Sequence, residues 1–233
     1  MKLTVALYAA AVAALNPSCA PGGNFDLSHW SLQEPVGDSS PRQIPSSQLQ
    51  HCDGYHDAYF FTAADGSMAM KVPSRDQCVT TPNSQHCRSE LREQSPATWD
   101  PKAATNRLFA EVQAIRNDGE VCVGQIHIYD AISHKPVAEL YLNAKGELNL
   151  GVQQCRTCSQ KRSPVTKLGS GKERFTYEIR YEKGKLSVAI NGGGFKEFTT
   201  YDLDSPKSYF KAGNYNQGTG PTEVHFYQLK VSH

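Results

Sequence analysis

Polar and apolar residues alternate along this chain in short runs, each closed by Gly, Pro, Asn or Asp. Side chains of an extended strand point to opposite faces in turn, whereas a helix repeats every 3.6 residues, so the pattern commits most of the chain to strands with one buried face. The runs are Ser67–Val72, Leu108–Ile115, Val121–Tyr129, Val137–Leu142, Glu147–Val152, Phe175–Tyr181, Leu186–Ile190, Phe195–Thr200, Tyr209–Ala212 and Val224–Val231. Asn143-Ala144-Lys145-Gly146 and Glu182-Lys183-Gly184-Lys185 read as hairpin turns, with Gly supplying positive φ. Many short antiparallel strands joined this way predict an all-β sandwich or jelly roll. No linker or repeat divides the chain, so a single domain is expected over residues 21–233.

The start of the chain reads differently. Met1-Lys2 precedes an apolar run from Leu3 to Leu15, followed by small residues, the pattern of a secretory leader. Residues 1–20 are assigned to it, with a cut after Ala14 or as late as Ala20, and the protein is expected outside the cell. The run is too short for a membrane span. Cysteine usage agrees with export: Cys19 leaves with the leader if the cut is late, and Cys52, Cys78, Cys87, Cys122, Cys155 and Cys158 remain. Six cysteines allow 15 pairings. Short loops favour Cys78–Cys87 and Cys155–Cys158, which leaves Cys52–Cys122. The CxxC spacing of Cys155 and Cys158 also fits a redox or metal motif, but no second CxxC or nearby His accompanies it.

The net charge of +1 excludes a general polyanion trap, so any acidic partner must be held by a local cluster. No basic tract interleaved with aromatics argues for nucleic acid. Three separated segments do put polar groups on one strand face. Arg88, Glu90 and Arg92 share a face, as do Gln125, His127 and Tyr129, and Tyr209, Lys211 and Tyr215, with Phe210 and Ala212 turned the other way. Taken alone, the arginine row is a surface ion-pair row and His127 a surface histidine. Taken together, the segments offer cations, amide and imidazole groups and phenols, a set suited to removing a proton beside a carboxylate in an anionic polymer.

RSELRE at 88–93, QIH at 125–127 and YFKAGNYNQ at 209–217 resemble the three signature regions of polysaccharide lyase family 7, the alginate lyases, and occur in that family's order. The resemblance implies a jelly-roll β-sandwich of two antiparallel sheets with a concave substrate groove. It implies a monomer that cleaves the 1,4-linkage of alginate by β-elimination, without cofactor or metal. Arg88 and Gln125, with Asn214 or His127, would bind the carboxylate next to C5 and stabilise the enolate-like species formed on proton loss. The resemblance gives proton removal to His127 for guluronate and to Tyr215 for mannuronate, which present C5–H on opposite faces, and gives Tyr215 the proton for O4. As a base, Tyr215 needs a lowered pKa, which Arg88 and Lys211 would supply. Glu90 would orient the two arginines, Arg92 and Lys211 would bind neighbouring carboxylates, and Tyr209 would stack or hydrogen-bond beside them. Ile126 is the variant the family associates with guluronate blocks.

Other readings use the same residues. A non-catalytic polyuronate-binding module needs the arginines but not the imidazole and phenol. A glycoside hydrolase needs two carboxyl groups facing one bond, and Glu111 and Glu139 are available. A lyase for another polyuronate, such as glucuronan, shares the whole scheme. His51 and His56 near Cys52 do not form a zinc pattern, and Gly192-Gly193-Gly194 lacks the Lys and helix of a phosphate loop.

Overall fold

The structure is a computed structural model that describes residues 14–82 and 84–233. Strands dominate it: β1 (Trp30–Gln33), β2 (Gln43–Ile44), β3 (Phe60–Thr62), β4 (Met68–Val72), β5 (Arg88–Glu93), β6 (Arg107–Arg116), β7 (Glu120–Ile128), β8 (Pro136–Asn143), β9 (Glu147–Gln153), β10 (Gln160–Lys167), β11 (Phe175–Glu182), β12 (Lys185–Ile190), β13 (Lys196–Phe198), β14 (Ser208–Asn216) and β15 (Thr222–Ser232). They form two antiparallel sheets, one in the order β10-β9-β8-β7-β14-β5-β1-β2 and the other β13-β12-β11-β6-β15-β4-β3. This is the jelly-roll sandwich expected from the alternation.

The core lies between the sheets. Leu91, Ile126, Ile128, Leu140, Leu150 and Phe210 from the first sheet meet Phe60, Met70, Val112, Tyr177, Ile179 and Phe226 from the second, all shut away from solvent. Period-two alternation fixes the opposite face of the first sheet as the one that carries polar groups. At the β11–β12 hairpin, Lys183 and Gly184 have φ of 52° and 73°, the paired left-handed residues of a two-residue turn that follows strand twist.

The three signature segments fall on three adjacent strands. β14 lies between β5 and β7, with Lys211 opposite both Arg92 and Gln125, Tyr215 opposite Arg88, and Tyr209 opposite His127. Register shifts interrupt the β14–β7 ladder between Ala212 and Tyr215 and the β7–β8 ladder between Cys122 and Gly124. Such bulges re-aim side chains next to sites. Gly213 sits at this point because a Cβ there would meet Ser89 O at 2.5 Å and Glu90 Cα at 2.6 Å. The glycine of the third signature therefore lets β14 approach β5.

Several expectations need correction. The alternation did not flag β1, β2, β3 or β10. β10 contains Pro164, which is tolerated because β10 is an edge strand, bonded only to β9, with a register irregularity at the proline. β7 ends at Ile128, so Tyr129 does not extend the polar row. The disulfides are Cys78–Cys87, Cys155–Cys158 and Cys19–Cys52, while Cys122 is a buried free thiol in the first sheet. Cys52 and Cys122 do not pair; the partner of Cys52 is Cys19. The Ala20 amide also donates to Cys52 O at 2.8 Å, and Leu15 packs against the core. The leader reading otherwise falls on residues 1–13, outside the described residues. No described helix is long and apolar enough to cross a membrane.

Candidate active site

A groove on the outer face of the first sheet is lined by Arg88, Arg92, Gln125, His127, Tyr209, Lys211 and Tyr215, so all three signature segments converge there. Glu90 lies beneath them, 1 % exposed. Its Oε2 is 3.1 Å from Arg88 Nη1 and 2.6 Å from Lys211 Nζ, and its Oε1 accepts a hydrogen bond from Gln125 Nε2. Burial pushes the Glu90 carboxyl up, but Lys211 and Arg88 outweigh it and hold the group below the ordinary carboxylate range. Burial pushes Lys211 down, helped by Arg88 and opposed by Glu90. The cluster of Arg88, Lys211 and Glu90 thus carries one more positive than negative charge in a desolvated place, which calls for an anion from outside. Glu90 orients Arg88 and Lys211, rather than the two arginines.

Arg92 turns elsewhere. Its Nη1 pairs with Asp130 Oδ2 at 2.8 Å, and its guanidinium carbon lies 4.2 Å from the Tyr209 ring centroid. Tyr209 donates to Asp130 Oδ1 at 2.9 Å and stacks on His127, with centroids 5.0 Å apart and planes at 25°. The Nε atoms of Arg88 and Arg92 are buried donors without an acceptor among the described residues.

His127 Nδ1 lies 2.8 Å from Ile128 O. A carbonyl only accepts, so Nδ1 carries the hydrogen and Nε2 keeps its lone pair. Burial, reinforced by Lys211, pushes the His127 pKa down to about 4, so the imidazole is neutral at ordinary pH. Tyr215 behaves oppositely to expectation. Burial raises its pKa, and the opposing effects of Arg88, 3.7 Å from the ring centroid, and of Ser84, 2.9 Å from Oη, are smaller. Tyr215 is therefore a protonated phenol at rest, fitted to give a proton rather than to take one.

Asn214 does not reach the groove. Alternation turns it inwards with Phe210 and Ala212, where its Nδ2 donates to Met70 O at 3.0 Å on the second sheet and its Oδ1 accepts from Thr222. It ties the sheets together and is no substrate contact. Ile126 likewise faces the core, so it touches no sugar. Glu111 lies on β6 in the second sheet, paired with Arg174, while Glu139 lines the groove on β8. These two carboxyl groups stand on different sheets, which removes the hydrolase pair. Burial raises the Glu139 pKa against hydrogen bonds from Tyr141 and Gln160. Asp130 and Ser84, which lie in loops, reach the groove without a signal in the alternation, and Glu139, expected on a strand but given no part in the elimination, lines it together with Gln153 and Gln160. The charge of Asp130 three residues after His127 was the one available hint. Among the described residues no group of three His, Cys, Asp or Glu side chains is placed to hold a metal ion.

A β-sandwich with a cation-rich groove, a neutral imidazole and a protonated phenol has the equipment of a polysaccharide lyase. The family model described as alginate lyase matches residues 25–233. The chain belongs to the alginate lyases of polysaccharide lyase family 7 and cleaves alginate as a lyase. Among similar proteins, an alginate lyase of Klebsiella pneumoniae is 27 % identical, covering 92 % of this chain and 91 % of its own. The crystal structure of family 7 alginate lyase A1-II′ in complex with product (GGG) is 32 % identical with a TM-score of 0.79, covering 92 % of this chain and 99 % of that one. An alginate lyase structure from Pseudomonas aeruginosa is 30 % identical with a TM-score of 0.77, covering 89 % and 99 %.

Proposed function

We propose that this chain is a secreted, monomeric alginate lyase in which His127 Nε2 removes the C5 proton and Tyr215 protonates the departing O4. The observation that carries this reading is the hydrogen bond from His127 Nδ1 to Ile128 O, which leaves Nε2 as a free base in the same groove as a protonated phenol. C5–H becomes acidic only when the adjacent carboxylate loses its repulsion for a second negative charge. Arg88 and Gln125, both braced by Glu90, supply that neutralisation, and donors held ready in this way are worth about 3–4 kcal/mol each. As the C5–H bond breaks, its electron pair forms the C4–C5 double bond and the C4–O4 pair leaves with the Tyr215 proton. Solvent then returns a proton from His127 to Tyr215. Arg92 and Lys211 hold neighbouring carboxylates, and Tyr209 supports the imidazole.

The raised pKa of Tyr215 disfavours its use as a base, so the route through His127 leads and guluronate linkages are the better substrate. The A1-II′ enzyme has been crystallised in complex with product (GGG) and with substrate (GGMG), in keeping with an alginate chain in such a groove. Three disulfides support an extracellular setting, and the Cys19–Cys52 bond supports a leader that ends upstream of Cys19. The test is ultraviolet absorbance from the new double bond during incubation with polyguluronate, polymannuronate and glucuronan. A faster rise on polyguluronate supports the reading. Faster reaction on polymannuronate or glucuronan contradicts it, and a flat trace with retained binding points to a lectin.

A further inference from the structure

We propose that Asp130 is a positioning residue that locks Arg92 and Tyr209 into one unit against which the His127 imidazole is held; this rests on the reading of His127 as base and Arg92 as a substrate contact. Asp130 stands just past the end of β7, in a turn closed by the Ile132 and Ser133 amides, which donate to Tyr129 O at 2.8 and 3.1 Å. The turn brings the carboxylate back over the sheet, and each oxygen takes a different partner. Oδ2 takes Arg92 from β5, two strands away, and Oδ1 takes the Tyr209 hydroxyl from β14, the strand between. Burial pushes the Asp130 carboxyl up, but Arg92 and the Tyr209 hydroxyl more than reverse this and keep it ionised.

The consequence reaches the substrate on one side and the base on the other. With Nη1 given to Asp130 and the guanidinium resting on Tyr209, Arg92 is held on two sides, which leaves its Nη2 for a uronate carboxylate. Tyr209, tethered through its hydroxyl, presents a fixed ring to His127. Asp130 Oδ1 is 3.9 Å from His127 Nδ1, too far for a hydrogen bond, so Asp130 acts on the imidazole through Tyr209 and through its charge. The other charged groups facing His127 are Lys211 and Arg88, both of which favour the neutral ring, while the Ile128 carbonyl and then Asp130 oppose them.

The test compares Asp130→Ala, Asp130→Asn and Arg92→Ala, singly and combined, in the full chain acting on alginate. Asp130→Ala is expected to raise KM roughly three- to ten-fold, the scale of coupling between touching residues, and to move the acid limb of kcat/KM to lower pH. Asp130→Asn keeps an acceptor for Tyr209 and should retain kcat while KM rises; it also serves if the alanine variant fails to fold. In the Arg92→Ala background, Asp130→Ala should raise KM far less than it does alone. Unchanged KM and pH profile in both Asp130 variants, or KM effects that multiply independently with Arg92→Ala, would overturn the proposal. His127→Ala separates the two levels. If it is inactive while the Asp130 variants behave as wild type, only the positioning role fails, whereas an active His127→Ala removes the base assignment beneath it.

Discussion

The Arg88 guanidinium lies over the face of the Tyr215 ring, its central carbon 3.7 Å from the centroid. In the proposed route one group would neutralise the substrate carboxylate while sitting against the acid proposed to protonate the leaving oxygen. Lysine would keep the charge but lose the flat stack and the forked donors. Arg88→Lys is therefore expected to lower kcat/KM by about two orders of magnitude, the scale of losing one prepared donor, with both kcat and KM affected. Steady-state kinetics on alginate check this, and near wild-type kinetics would show that charge alone suffices.

Among the described residues, Glu90 is the only anion touching the buried pair of Arg88 and Lys211. Glu90→Gln leaves two buried cations facing a neutral amide. Breaking a buried charge cluster on one side typically costs about 3–5 kcal/mol, so the denaturant midpoint should fall markedly. Activity should fall as well, because Arg88 and Gln125 lose their brace. A variant with an unchanged midpoint would mean that the groove solvates those cations well.

Acid should weaken the fold through His127. Its folded pKa is about 4, against 6.5 for the free side chain. Between those values the unfolded chain binds a proton that the folded chain refuses, so stability rises with pH across this window and is lost as pH falls through it. Unfolding measured from pH 4 to 7 should show this slope, and His127→Gln should flatten it. If His127 is the base, as proposed, the same neutral imidazole is available at neutral pH, and the acid limb of kcat/KM should lie well below pH 6.5.

Seven cysteines and three disulfides leave one thiol, Cys122, sealed in the groove sheet. Thiol titration should find none in the native protein and one after denaturation without reductant. The Cys19–Cys52 bond closes a 33-residue separation, and its loss through Cys52→Ala should cost about 2–4 kcal/mol. Two or more thiols in the denatured protein would contradict this pairing.

Much of this was legible in the residues because both the pleat and the site repeat with period two. Arg88, Arg92, Gln125, His127, Tyr209, Lys211 and Tyr215 reach one groove because alternation on adjacent antiparallel strands puts like faces together. Asn214 obeyed the same rule, which assigns it inwards with Phe210 and Ala212; its neighbourhood to Tyr215 in sequence was no guide to its face. Asp130 and Ser84 were hidden because loop geometry has no period. The pairing of Cys19 with Cys52 was hidden because it depends on where the entering chain packs, and the direction of the Tyr215 shift because burial outweighs a visible cation.

The central claim is that one imidazole and one phenol complete the elimination. The most direct measurement is kcat for double-bond formation on polyguluronate by His127→Ala and Tyr215→Phe, alongside their thermal unfolding and alginate affinity. Both variants should fold and bind like the wild type, with kcat reduced by about two to four orders of magnitude. Near wild-type turnover in either variant would contradict the account.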